Sequence, residues 1–416
     1  MKPKLNYRRT VLVGLAFLSI SAFWQLYEQT VPLMLKETFG QGDTLTGAIM
    51  ALDNVLALIL LPLFGALSDR CKSRLGKRMP FIIVGTAVSV VAMNLLPIAD
   101  NIASLPLFMA ALLIVLLAMS VYRSPAVALM PDVTPKPLRS KGNAVINLMG
   151  SLGGVLALGM IGVLVADAPD GGYGRVSYTA MFAAVSLVMA IAVIVLVMTI
   201  RERKLSAEVD ALPTADEAVS TDNGESLSPA ARRSLLLILF SVAFWFMGYN
   251  AITTAFSRYA QTVWGMGVGQ SSTSLLIANA GAIVAFIPAG ILATRYGRKR
   301  VIPGGVLLLT ASFAGAMAVT SFSPLVYVLF AVVGCAWACI NVNSYPMVVA
   351  LGGQAHNGRY TGFYYTFSMS AQILTPILSG FLLEHVGYWT LFPYAALMVL
   401  FSFVTISLVR REDGSM

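Results

Sequence analysis

Twelve separate runs of mostly apolar residues divide this chain, near 10–34, 45–66, 80–98, 105–130, 141–166, 178–200, 234–257, 271–293, 301–320, 324–350, 359–383 and 388–409. A helix needs about 20 such residues to cross a hydrocarbon core about 30 Å thick. In lipid each backbone polar group must be satisfied within its own segment, so runs of this length imply helices. The rest of the composition agrees. The chain is 57% hydrophobic and only 11% charged, where a soluble protein carries about 25% charge, and its mean hydropathy is +0.79. An all-α, polytopic membrane protein is expected. The start, MKPKLNYRRTVLVGLAFLSISAF, mimics a signal peptide. No small-residue cleavage site follows it, and the apolar run continues to spanning length, so it reads as a retained first span.

The cations alternate with the spans. One side collects 24 of the 28 Lys and Arg, including Arg8, Arg9, Arg70, Lys72, Arg74, Lys77, Arg78, Lys136, Arg139, Arg201, Arg232, Arg295, Arg359 and Arg410. The other side holds only Lys36, Arg175 and Arg258, and Arg123 falls inside a span. Cytoplasmic loops carry the Lys/Arg excess, which predicts an inner-membrane protein with both termini in the cytoplasm. The net charge of +9 follows from this bias, so nucleic-acid binding is not needed to explain it.

Residues 205–231 break the pattern. Glu208, Asp210, Asp216, Glu217, Asp222 and Glu225 lie among Ala, Ser, Pro and Thr, the composition of a flexible, solvated linker. It separates two six-helix bundles, 1–204 and 232–416. The bundles echo each other: Gly65, Asp69 and Arg70 recur as Gly290, Thr294 and Arg295, 225 residues on, both times between the second and third spans of a half. A parallel repeat with a pseudo-two-fold axis along the membrane normal is the expectation.

GALSDRCKSRLGKR at 65–78 has a definite form: Gly65-x-x-x-Asp69-Arg70-x-x-x-Arg74-x-Gly76-Lys77-Arg78-x-Pro80-Phe81. It resembles the loop signature of the major facilitator superfamily, and within it the glycoside–pentoside–hexuronide cation symporters and sucrose/proton symporters. PAVALMPDVTPKPLRSKGNA at 125–144 is similar to the same group at Pro125, Ala128, Leu129, Asp132, Arg139 and Asn143. The resemblance implies secondary transport by two rocking six-helix bundles. The charges at this cytoplasmic helix end fit a latch made of Gly65, Asp69, Arg70, Arg74, Arg78, Asp132, Arg139 and Arg295, which sets conformational populations without touching solute; the alternative is that the cations hold the loop inside and do nothing more. Plant sucrose carriers place an acid in the fourth helix where Leu116 stands here, so proton coupling is expected to use another carboxylate.

An ionisable group inside a span is expensive and points to function. Glu28, Asp53 and Arg123 are the three cases. At 1.5 Å per residue, Glu28 stands roughly 25 Å, Asp53 roughly 20 Å and Arg123 about 10 Å above the cytoplasmic end. The two acids therefore share the outer half of the membrane, and Asp53, the more central, is the proton-coupling candidate with Glu28 as partner. Arg123 either contacts solute or snorkels to the interface.

Sugars present hydroxyls to hydrogen-bond and C–H faces to stack on aromatic rings. Trp24 lies one turn from Glu28. Trp337, Asn341 and Tyr345 repeat every fourth residue on one span, Trp245, Tyr249 and Asn250 mark another, and Asn143 with Asn147 and Tyr364 with Gln372 share faces of two more. Each aromatic could equally pack helices or meet lipid, and each Asn could bond between helices. In the fold that the resemblance implies, these helices surround the solute cavity. Gly150, Gly153, Gly154 and Gly159 read as close packing or a hinge.

Cys71, Cys335 and Cys339 are too few for a disulfide framework and lack companions for a metal site. No nucleophile–base pair or nucleotide-binding loop is present in the sequence, so an enzyme or an ATP-driven pump is not expected, and no cofactor is. The reading is a monomeric carrier of a sugar-like small molecule with H⁺, embedded in lipid. An exporter of apolar or cationic compounds is the first alternative, favoured by 20 Met and many Phe. A non-transporting sensor is the second, and it lacks room in the linker for a signalling domain.

Overall fold

The computed structural model describes residues 5–135, 138–164, 177–210, 229–350 and 357–409. Lys2, Lys4, Lys136, Arg175, His356, Arg410, Arg411 and most of the expected linker lie outside the described residues. Regular structure among the described residues is helical: α1 (Tyr7–Glu37), α2 (Asp43–Asp69), α3 (Met79–Asn101), α4 (Leu105–Asp132), α5 (Arg139–Leu164), α6 (Thr179–Thr199), α7 (Glu202–Asp210), α8 (Pro229–Trp264), α9 (Val268–Tyr296), α10 (Arg298–Met317), α11 (Leu325–Ala350), α12 (Asn357–His385) and α13 (Leu391–Ser407), with a short 3-10 turn at Tyr388–Thr390. Twelve of these are long and apolar enough to cross a membrane; α7 is not. Val163, Met198, Val284 and Ile287 are each more than 70% exposed. Such side chains face outward stably when the surroundings are lipid and not water.

Local signals set several helix ends. Asn6 caps α1 by accepting the Arg9 N–H at 3.0 Å. Pro80 and Pro106 stand in the first turns of α3 and α4, where their missing N–H costs nothing. The expected linker departs from the sequence reading in its first residues: 205–210 belong to α7. ERKLSAEVD is made largely of good helix formers, and that local preference outweighs the acidic composition of the whole segment.

Two compact units are resolved, Met1–Gly40 with Leu52–Ala215, and Gln41–Ala51 with Asp216–Met416. In the first, α1 packs on α5 and α6, and α3 on α4 and α6. The second repeats this arrangement with α8 on α12 and α13, and α10 on α11 and α13. Helices α1, α3, α4, α5 and α6 thus each have a counterpart seven places on, which extends the Gly65/Gly290 echo to five helices of each unit. Small residues allow the close approaches. A Cβ on Gly153 would lie 2.0 Å from the Leu18 carbonyl oxygen, and one on Gly334 would lie 1.8 Å from that of Ala278. The sequence reading of Gly153 as a packing residue matches this contact of α5 with α1.

Candidate functional site

In the first unit the intramembrane charges converge. Trp24, Tyr27 and Glu28 follow one another along α1, with Trp24 edge-on to Tyr27 at 5.4 Å. Asp53 of α2 is half-buried and accepts a hydrogen bond from the Asn54 side-chain amide at 2.7 Å. The Asp53 carboxylate acts electrostatically on Glu28, and both act on Tyr27. Arg123 of α4 lies over the Trp24 ring at 5.8 Å, and its charge acts on Asp53. The depth gap expected for Arg123 is closed by side-chain direction. Cα–Cβ bonds tilt toward a helix's N-terminus, so Arg123 leans back along α4 toward Leu105, while Trp24 leans down α1 to meet it. The Trp24 indole N–H and the Tyr27 hydroxyl are buried with no hydrogen-bond partner. The arrangement offers one cation, two carboxylates, an aromatic face and two unused polar groups in one place.

The other expected residue pair of this unit, Asn143 and Asn147, is exposed on α5.

The second unit carries an aromatic face. Tyr249 of α8 stacks on Trp337 of α11, Phe246 meets Trp337 edge-on at 5.4 Å, and Tyr364 of α12 meets both Phe246 and Tyr345 edge-on. Tyr364 shares a hydrogen bond with the Ser344 hydroxyl at 3.0 Å. Trp337 and Tyr364 are buried, whereas Asn341 and Tyr345 are exposed beside them. Trp245 is fully buried and its N–H is unpartnered, as is the Asn250 side-chain oxygen. Gln372 bonds only back along its own helix, to the Ser368 carbonyl. Sequence spacing thus brings Tyr249, Trp337, Tyr345 and Tyr364 together, with Asn341 one turn from both Trp337 and Tyr345 on α11.

At the cation-rich end of the first unit, Arg78 is the hub. Its guanidinium donates to Asp132 at 2.8 Å, to Asp69, to the Ser68 hydroxyl and to the Gly65 carbonyl at 3.3 Å. Lys77 adds an ion pair with Asp132 at 3.4 Å. Asp69 was expected amid Arg70, Arg74 and Arg139. The structure pairs it with Arg78; Arg70 and Arg74 are exposed, and Arg139 bonds the Thr134 carbonyl. In the second copy Thr294 replaces the acid and bonds its own helix at Gly290, leaving Arg295 against Tyr296.

Two charged contacts were not visible to sequence reasoning. Glu202 is buried against the start of α3. Asp43 belongs to the second unit, where it accepts from Arg258 at 2.6 Å and from the Tyr388 hydroxyl at 2.5 Å, while the Thr44 N–H donates to Glu384 at 2.7 Å. Arg258 is 1% exposed. One signal was available for it: a cation at the edge of a long apolar run is expensive to bury and needs a partner.

Comparison with known proteins places these observations. The sequence profile of the Major Facilitator Superfamily matches residues 13–287 and 265–415. A 97-residue stretch is 31% identical to the human "Proton-associated sugar transporter A" (Homo sapiens), and a 93-residue stretch is equally identical to the mouse protein (Mus musculus). These stretches cover 23% and 22% of this chain, and 13% and 12% of the relatives' own lengths. Among solved structures, a bacterial homologue of the human lysosomal transporter Spinster superposes with TM-score 0.72 at 14% identity, covering 99% of this chain and 100% of that one. A D-xylose–proton symporter gives 0.66 at 15% identity over 95% and 96%. The nucleoside transporter NupG gives 0.65 at 16% identity over 98% and 100%.

Proposed function

The chain belongs to the Major Facilitator Superfamily, and from that premise we propose that it carries a sugar or glycoside together with protons, by alternating access. It is a multi-pass membrane carrier and not an enzyme. In the proposed cycle Asp53 takes and releases the proton, Glu28 tunes it, and Trp24 and Arg123 contact the solute. Trp337, Asn341, Tyr345, Tyr249 and Tyr364 supply the stacking and hydroxyl-bonding face of the second unit. The protein works in the cytoplasmic (inner) membrane with both termini inside.

The observation that carries this reading is the grouping of Glu28, Asp53 and Arg123 around Trp24. Carboxylates within a span are costly when charged and unpaired, and a site that alternates between charged and neutral forms is what coupling to protons requires. The unused Trp24 N–H and Tyr27 hydroxyl suit a polyhydroxylated solute, because buried polar groups left without partners are costly. The sugar assignment draws further support from the local identity to the curated sugar transporters. The fold by itself does not choose, since nucleoside carriers share it.

A thermal-shift screen of mono- and disaccharides on the purified protein tests the solute class. A ligand that binds only the folded state stabilises it by mass action, by about 2.7 kcal/mol at a hundred times its Kd. A flat response to every saccharide, with shifts for apolar cations, would replace this reading with the exporter.

A further inference from the structure

Glu202 opens α7, two residues beyond the extended Ile200 that ends α6, and it is 1% exposed. Its carboxylate accepts the backbone N–H groups of Lys77 and Arg78 at 2.9 Å through Oε1, and those of Met79 at 2.9 Å and Arg78 at 3.1 Å through Oε2. These donors sit at the entrance to α3, which begins at Met79 with Arg78 as its cap residue and no side-chain cap from its own strand of sequence. The first N–H groups of a helix have no acceptor within the helix, and the helix dipole favours an anion there. Glu202 therefore caps α3 from a point more than 120 residues away along the chain.

The loop is shaped to admit it. Gly76 has φ of +118°, and a Cβ at that position would lie 2.3 Å from Glu202 Oε2 and 2.4 Å from Cδ. Both the backbone conformation and the space exclude a side chain. On the other side of the same residue, the Arg78 guanidinium reaches Asp69, Asp132, Ser68 and the Gly65 carbonyl. Glu202 thus holds the main chain of Arg78 while the acids hold its side chain.

We propose that Glu202 is a positioning residue for Arg78: by capping the entrance to α3 it fixes where the guanidinium stands between Asp69 and Asp132, and so ties the helix that begins the linker to the ion cluster. The cap and the cluster then act as one unit. Loosening α7 loosens the Ser68–Asp69 turn, which lies on the far side of Arg78 and makes no bond to Glu202.

Cys71 reports on that turn without any solute. It is a partly exposed free thiol whose N–H bonds the Ser68 carbonyl at 3.2 Å. The experiment measures maleimide labelling of Cys71 in the full chain, reconstituted in lipid, with Cys335→Ala and Cys339→Ala in the background. Arg78→Met and Glu202→Gln are each expected to speed labelling by roughly tenfold or more, the factor that one hydrogen bond to a charged group provides. The double variant is expected to label no faster than Arg78→Met alone, because both changes undo the same restraint. Glu202→Asp, which keeps the charge and shortens the reach, should fall between wild type and Glu202→Gln. Should Glu202→Gln fail to yield folded protein, the same cycle is read with Glu202→Asp. Labelling at the wild-type rate in the Glu202 variant, or effects that multiply in the double variant, would show that Glu202 is a local cap with no hold on Arg78.

Discussion

Tyr249 and Trp337 lie face to face, with 3.8 Å between ring centroids and 6° between planes. One face of the Trp337 indole is thus occupied by protein, and Phe246 takes an edge at 5.4 Å. A solute ring stacking on Trp337 has to use the remaining surface or displace Tyr249. Asn341 lies a turn further along α11 and is exposed; in the proposed site it bonds the solute's hydroxyls.

Two substitutions separate these roles. Asn341→Ala should weaken saccharide binding by roughly 5- to 150-fold, the range that about 1–3 kcal/mol for an unmade buried hydrogen bond gives, while leaving thermal unfolding nearly unchanged. Trp337→Ala should lower both affinity and stability, since the indole is buried and stacked. Equilibrium binding and unfolding temperature, measured on the same samples, distinguish the two. Unchanged affinity in both variants would assign this face to packing alone.

The Asp43–Arg258 pair makes a prediction about stability. Both side chains are buried, and each charge is compensated by the other. Removing one partner leaves an uncompensated buried charge, at a cost of about 3–5 kcal/mol, whereas replacing both by apolar groups of similar size costs far less. Asp43→Asn and Arg258→Met should each lower the unfolding temperature markedly, and the double variant should recover part of the loss. Additive losses in the double variant would show that the two charges are stabilised separately.

The Asp69–Arg78–Asp132 cluster makes a prediction about rate. Asp69 is mostly exposed, while Asp132 takes both Arg78 and Lys77. Asp69→Asn should preserve fold and solute affinity and slow transport in proteoliposomes, because it shifts the balance between states and spares the binding face. Asp132→Asn should slow transport further and also destabilise the protein, since it leaves the buried Arg78 guanidinium poorly compensated. Transport by Asp69→Asn at the wild-type rate would remove the latch role.

What the sequence revealed follows from the range of the forces involved. The twelve apolar runs specify helices because the lipid requirement acts on each segment separately. Some ends run longer than expected, as in α8, which extends to Pro229 and Trp264 around an apolar stretch read as 234–257, because helical hydrogen bonding continues past the greasy core; α13, Leu391–Ser407 against an expected 388–409, is shorter. Asp69 was legible as an ion-cluster member but its partner was not: the chain turns back through Gly76, and that turn brings Arg78 to it instead of the nearer Arg70 or Arg74. Glu202 lies 123 to 125 residues from the amides it caps, and Arg258 lies 215 from Asp43. Contacts at such separations leave no periodicity in one sequence. The burial cost of Arg258 was the only trace available.

The last prediction concerns coupling. Asp53 is bonded by Asn54 and acted on by Arg123, and it acts in turn on Glu28. A carboxylate within a span alternates between a charged form that needs a counter-charge and a neutral form that does not. In the proposed cycle a proton from outside neutralises it, and release to the inside restores its charge. Asp53→Asn fixes the neutral form and can still accept the Asn54 bond. It should therefore bind solute and exchange it across the membrane in counterflow, yet lose accumulation driven by a pH gradient, because no proton travels with the solute. Glu28→Gln should keep accumulation with a displaced pH optimum, since it removes a neighbouring charge and leaves the proton carrier in place. Counterflow and pH-driven uptake are measured in the same vesicles, so loss of folding or of binding is separated from loss of coupling. An Asp53→Asn protein that still concentrates solute against its gradient would eliminate this residue as the coupling site, and would move the role to Glu28 or to a carrier not driven by protons.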